Sequence, residues 1–337
     1  MILIFFNTSP ISCILKIESI VNLKLYIELQ YISMFDIGRE YEMKDFKEFV
    51  DVIAYTILAV SLMTIVALTI FAYKIYNNNI LSMLMISVAM FIPLASTLIV
   101  NALITKRNLS EFGIKRGKIT IFLIIISVVY PFLILLISIP LAYIVSLIPG
   151  TNIKIDLTLS YYSSLIKEQA YRLNIPYEIL LLSAIFGMII TPFFNAIFAF
   201  GEEAGWRGFL LTRLEEELGR WHAIIATGII WGVWHWPLIL LFGYDYPGTH
   251  SNLWPFCALL FLLFTIGLGI FLAWLRYESD SVIFPSIAHG SINANLGLGV
   301  FMIITNPIIG FPAGIISSTS AIIVGVLVFY LSEKFRA

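Results

Sequence analysis

Charge is what this chain has least of: Asp, Glu, Lys and Arg make up 12% of its 337 residues, against ~25% in soluble globular proteins. Two cysteines, Cys13 and Cys257, supply neither a disulfide framework nor metal-type spacing. Cys13 also lacks the apolar run and lipobox that lipidation requires. The net charge of -1 provides no basic stripe, which argues against a nucleic-acid partner. No HExxH helix, internal repeat or low-complexity tract occurs. What fills the chain instead is apolar surface: 60% hydrophobic residues and a mean hydropathy of +0.95.

Apolar runs of about 20 residues cross a ~30 Å hydrocarbon core as helix. Such runs lie near 51–73, 80–104, 119–148, 179–205, 222–242, 254–275, 281–304 and 308–333. They are continuous rather than alternating, which excludes barrel strands. The expected fold is an all-α polytopic membrane helical bundle of about eight transmembrane helices, occupying residues 46–337. Residues 1–45 differ, being apolar but broken by Asn7, Pro10, Lys16, Glu18, Lys24 and Glu28 without a cationic leader or cleavage site. They read as an interfacial or poorly ordered segment. Met34 and Met43 are alternatives to Met1 as the start.

Lys106, Arg107, Lys115, Arg116, Lys118, Arg207, Arg213, Arg220, Arg276, Lys334 and Arg336 gather at one end of this topology, with Lys74, Lys154, Lys167 and Arg172 at the other. The positive-inside rule places the richer end, with both termini, in the cytoplasm. The segment 149–178 has room for a short amphipathic helix, and 207–220 reads as a continuation of the fourth span.

Three places inside these runs hold groups that are expensive at membrane depth and therefore point to a functional site. Glu202, Glu203 and Arg207 close the fourth span, His235 lies in the fifth, and His289 with Asn293 lies in the seventh. At ~1.5 Å rise per residue, Glu202 falls roughly 15 Å, His235 and Asn293 roughly 18 Å and His289 roughly 12 Å from the basic end, so helices four, five and seven can build one site. Adjacent helical residues point about 100° apart, and Glu203 and Arg207, at i,i+4, suit an ion pair. Glu202 is then left to face a cavity. His289 and Asn293 share a helix face. Pro192, Pro237 and the glycines Gly201, Gly205 and Gly208 suggest kinks and thinning that leave room for water.

These groups suit hydrolysis. A poorly solvated carboxylate can act as general base on water, while a histidine and an asparagine amide donate to the developing oxyanion. Glu202, His235 and His289 are also a donor set that would suit Zn2+ with an open fourth position.

At these residues the chain resembles the CAAX protease and bacteriocin-processing (CPBP, or Abi) family of intramembrane endopeptidases, which includes the Ras-converting type of CAAX prenyl endoprotease. Glu202, Glu203 and Arg207 match its Glu-Glu-x-x-x-Arg motif. Trp231 and His235 match its aromatic-x-x-x-His motif, with Trp where Phe is usual, and His289 and Asn293 match His-x-x-x-Asn. The resemblance covers about 180–300. It implies an intramembrane protease opening to the cytoplasm of a prokaryotic cell membrane, with the first glutamate activating water and with a membrane-associated or lipidated protein or peptide as substrate. The family contains enzymes classed both as metallo- and as glutamate endopeptidases.

Simpler readings stand beside this one. The Glu-Glu-Arg cluster can be a structural ion pair, His235 a packing histidine, and His289 with Asn293 polar glue between helices. Trp206, Trp221, Trp234, Trp236 and Trp254 read as interfacial belt or packing, and Trp231 as a wall of the pocket. A non-catalytic immunity or scaffold protein and a small transporter are the alternative functions. A transporter requires an ionisable path to the far face, and the outer halves of these spans hold few such groups.

Overall fold

The computed structural model describes residues 46–334; the segment 1–45 and its alternative starts lie outside the described residues. With no water in a bilayer core, each backbone amide must be satisfied within its own segment, so long apolar runs become helices. Those long enough to cross number seven among the described residues: Val50–Ala72, Ile80–Thr105, Ile121–Ser146, Tyr177–Leu218, Arg220–Phe242, Ser251–Ser279 and Ile315–Lys334. The chain is an integral membrane protein of all-α architecture.

In chain order we denote α1 (Val50–Ala72), α2 (Asn79–Ala89), α3 (Ile92–Val100), α4 (Ile121–Ser146), α5 (Ser160–Leu173), α6 (Tyr177–Glu203), α7 (Leu211–Leu218), α8 (Arg220–Phe242), α9 (Trp254–Ser279), α10 (Ile283–Asn295), α11 (Gly299–Met302) and α12 (Ile315–Lys334). Helix α5 is the short helix expected between spans three and four. Two residues on either side, Lys154–Ile155 (β1) and Ile303–Ile304 (β2), form a small antiparallel ladder. Helix α9 is the most enclosed of the spans, lying between α8 and α12.

The expected span at 281–304 is not a spanning helix. Helix α10 has 13 residues, about 20 Å of rise, and then gives way to a 3-10 turn, α11 and β2. Hydropathy summed over the run counts Leu296 to Ile304, which are apolar but interrupted by Gly297 and Gly299. The short helix is tolerated because protein surrounds it: α10 packs against α6, α4 and α9, and Asn295 at its end donates to the Met188 carbonyl at 2.9 Å.

Ion pairs and loop contacts define the two ends of the bundle. At one, Arg213 binds Asp51 at 2.6 Å, Arg107 binds Glu216 at 2.5 Å, and Ser281 donates to the Lys115 carbonyl at 2.5 Å. At the other, Thr305 donates to the Thr151 carbonyl at 3.1 Å and the buried Tyr246 hydroxyl to the Ala313 carbonyl at 2.9 Å. Asp156 starts α5 there by accepting from Ser160 and Thr158, and those hydroxyls hold its carboxyl well below the usual carboxylate range.

The glycines do not provide the expected water-filled thinning. Helix α6 runs through Pro192 and α8 through Pro237. The winding changes about three turns after Pro192, where Ala204–Leu210 forms a π-helix between α6 and α7. The glycines are filled rather than hollow: a Cβ on Gly201 would meet the Met90 carbonyl at 2.6 Å, and one on Gly205 would strike Tyr55 and Pro93. They let α1 and the α2–α3 junction close on the carboxylate-bearing helix.

Candidate active site

The last turn of α6 presents its two carboxylates to different partners, as their angular offset requires. Glu203 accepts from Arg207 at 2.9 Å and from His289 Nδ1 at 2.8 Å, both at Oε1. Glu203 is 0% and Arg207 1% exposed, so this is a fully desolvated pair. Glu202 turns the other way. Its Oε2 accepts from the indole N–H groups of Trp231, at 2.7 Å, and Trp206, at 3.2 Å.

Trp231 organises the centre from α8. Its edge donates to Glu202, its face covers the Arg207 guanidinium with Cζ 4.3 Å from the ring centroid, and its carbonyl accepts from His235 Nδ1 at 2.9 Å. A carbonyl can only accept, so His235 carries its proton on Nδ1, and in the neutral ring Nε2 is an acceptor. The same reasoning applies to His289, whose Nδ1 meets a carboxylate. A histidine that donates from Nε2 to an oxyanion here must therefore be an imidazolium; in its neutral form it holds a proton-bearing partner instead. The Asn293 amide adds a neutral donor at the cavity wall.

Glu202, His235, His289 and Asn293 all line one cavity of about 530 Å³. The remaining walls are mostly apolar, including Met83 and Met90 from α2 and its C-terminal end, Phe198 from α6, and Phe261 and Leu268 from α9. Glu203 and Arg207 lie behind this wall. Five of the six sequence-predicted residues thus join by direct contact or through Trp231, and Asn293 joins them along the cavity, one turn from His289.

Sequence reading missed two members. Trp206 is completely buried and serves as a carboxylate donor, not as part of an interfacial belt; its i,i+4 spacing from Glu202 was the available signal. Asp245 lines the cavity from the loop after α8, and burial pushes its carboxyl up to about 7. In sequence it sits in Gly-Tyr-Asp-Tyr-Pro-Gly, which reads as a turn.

The cavity also runs in an unexpected direction. From the carboxylates it extends past Leu238, Tyr244 and Asp245, and past Asn293 to Gly297, toward the end of the bundle poor in Lys and Arg. The basic end is closed, because every residue of Ala204–Leu210 is buried and Phe112 packs on Phe209 with centroids 5.2 Å apart.

Among the described residues no three His, Cys, Asp or Glu side chains gather closely enough to hold a metal ion. Glu202, His235 and His289 are accordingly not gathered as a Zn2+ ligand set in this arrangement.

Fold and site define a polytopic membrane protein with a carboxylate–imidazole centre at the base of an apolar cavity. Residues 178–295 match the family model of the type II CAAX prenyl endopeptidases, Rce1-like. A CAAX prenyl protease 2 from Methanococcus maripaludis is 34% identical over 96 residues, which is 28% of this chain and 35% of that protein. The match thus spans about a third of that relative's length. The segment that builds the site is thus similar to the CAAX protease family.

Proposed function

We propose that the protein is an intramembrane endopeptidase that hydrolyses a peptide bond of a membrane-associated or lipidated protein or peptide. The observation that carries this reading is a carboxylate, Glu202, fixed by two indoles at the wall of a cavity shared with His235, His289 and Asn293. Glu202 takes a proton from water as the water oxygen bonds to the scissile carbonyl carbon. The Asn293 amide donates to the resulting oxyanion, and His235 Nε2 accepts from the water or the substrate amide to align it. On collapse the C–N bond breaks and Glu202 returns the proton to the leaving amine, so atoms and charge balance. Glu203 and Arg207 act one layer back: their pair fixes His289 and supports the Trp231 ring.

The basic end of the bundle, with both ends of the described chain, faces the cytoplasm on the charge rule, and the cavity mouth then faces the opposite side. The family match and the relative named CAAX prenyl protease 2 support a prenylated protein as one substrate class.

The direct test is cleavage of membrane-anchored and C-terminally lipidated peptides by purified protein in liposomes, with Glu202→Gln as control and with and without a chelator. Cleavage by the wild type, lost in the variant and insensitive to chelator, is the expected result. Cleavage by both proteins would remove Glu202 from the mechanism.

A further inference from the structure

Asp245 has no place in the hydrolysis described above, yet it is built into the cavity. The loop that carries it is fixed on both sides. Gly243 ends α8 in a left-handed conformation against the Trp254 indole, and Tyr246 is anchored by its hydroxyl to Ala313. Between them Asp245 itself sits at φ +63°, a backbone state that non-glycine residues rarely adopt. Strain of this kind persists where the surrounding structure over-determines it. Its carboxylate is half-buried and, among the described residues, receives no hydrogen bond or ion pair.

The rest of the wall adds to this. The ionisable groups lining the cavity are Glu202, His235, Tyr244, Asp245 and His289, with no Lys or Arg. The nearest buried cation, Arg207, is enclosed beneath Trp231 and already paired with Glu203. The cavity therefore offers two carboxylates and no fixed cation. A carboxylate arriving in it meets like charge in a poorly solvated space, whereas an ammonium or guanidinium supplies the partner Asp245 lacks.

We propose that Asp245 is a specificity-determining residue that receives a cationic lysine or arginine side chain of the substrate segment held in the cavity, in preference to an uncharged or anionic group at that point. The assignment rests on the peptidase reading of the site. It implies a basic residue near the scissile bond.

The test uses full-length protein carrying Glu202→Gln in lipid nanodiscs, so that peptides bind uncleaved. The probes are fluorescent membrane-anchored peptides of one length with Lys, with Ala in its place, or with a free carboxylate at that point. The Lys peptide should bind about tenfold more tightly than the Ala peptide, with the carboxylate peptide weakest. Adding Asp245→Asn should abolish the difference without disturbing the backbone, because Asn also tolerates the left-handed region; Asp245→Glu, which keeps the charge, should retain part of it. Equal binding of Lys and Ala peptides, a preference that survives Asp245→Asn, or no binding of any peptide would overturn the proposal. Cleavage by protein with Glu202 intact is measured separately. An Asp245-dependent preference without cleavage of any peptide would overturn the peptidase reading alone, and cleavage indifferent to the basic residue would overturn this proposal alone.

Discussion

Glu203 and Arg207 are paired at 2.9 Å with essentially no exposure, and each still has one buried polar atom without a protein partner, Oε2 and Nη2. Removing one member of such a pair strands the other charge and typically costs about 3–5 kcal/mol. Arg207→Met should therefore lower stability by that order, measured by denaturant or thermal unfolding in detergent, and Glu203→Gln with Arg207→Met should recover much of it. Glu202→Gln should behave differently, leaving the unfolding midpoint nearly unchanged because its amide oxygen can still accept from both indoles, while abolishing cleavage. Equal destabilisation by both single variants would make the cluster a structural ion-pair network and not a catalytic one. Trp231→Phe separates the two jobs of that ring. The face over Arg207 is kept and the donor to Glu202 is lost, so a loss of about 1.5–3 kcal/mol is expected for a hydrogen bond to a charged group, with a drop in turnover. Asp245 adds a pH signature. Its folded-state value of about 7 lies above the ordinary 3.8, so the folded protein keeps a proton that the unfolded chain releases in that window. Stability contributed by this group is present below pH ~4, declines as pH rises toward ~7 and is absent above it. The melting temperature of Asp245→Asn should fall less over that range than that of the wild type.

At the scale of elements, the site depends on how closely α10 approaches α6. A Cβ on Gly290 would meet the Ala196 amide nitrogen at 2.6 Å and would also collide with the Pro192 carbonyl. Backbone cannot yield as a flexible side chain can, so α10 would have to retreat and take His289 away from Glu203. Gly290→Ala should cost about 1–3 kcal/mol as an overpacking change and reduce cleavage. Gly187→Ala on α6, where the nearest atom is the Thr191 hydroxyl at 3.8 Å, should be tolerated in both assays. The π-helical turn Ala204–Leu210 serves the same geometry. It follows directly on the carboxylates and carries Trp206 and Arg207, the residues that hold Glu202 and Glu203 in opposite directions. Its winding has no marker in the sequence, whereas the i,i+4 pairing of Glu203 with Arg207 was legible from spacing alone.

For the whole molecule, the consequential feature is that the cavity extends toward the end opposite the basic loops. His250 lies at the mouth end and is exposed, and Arg116 lies at the basic end and is exposed. In a background without Cys13 and Cys257, His250→Cys and Arg116→Cys should react with an impermeant maleimide from opposite sides of sealed vesicles, and the charge rule assigns His250→Cys to the non-cytoplasmic side. Labelling of His250→Cys from the cytoplasmic side would invert the whole bundle and bring the cavity mouth to the cytoplasm.

The sequence by itself determined that this chain crosses a membrane as helices and pointed to six polar residues that come together within it. Both follow from local quantities: the length of apolar runs, and the expense of leaving charge inside them. Helix periodicity was also enough to separate the roles of Glu202 and Glu203. Tertiary structure alone decided that the seventh run is a short buried helix and that Trp206 and Trp231 clamp Glu202. It also decided that His289 binds Glu203, that the glycines are packed rather than hollow, and that Asp245 enters the cavity. Each of these depends on which surfaces meet across helices far apart in the chain, and neither hydropathy nor spacing within one helix carries that information.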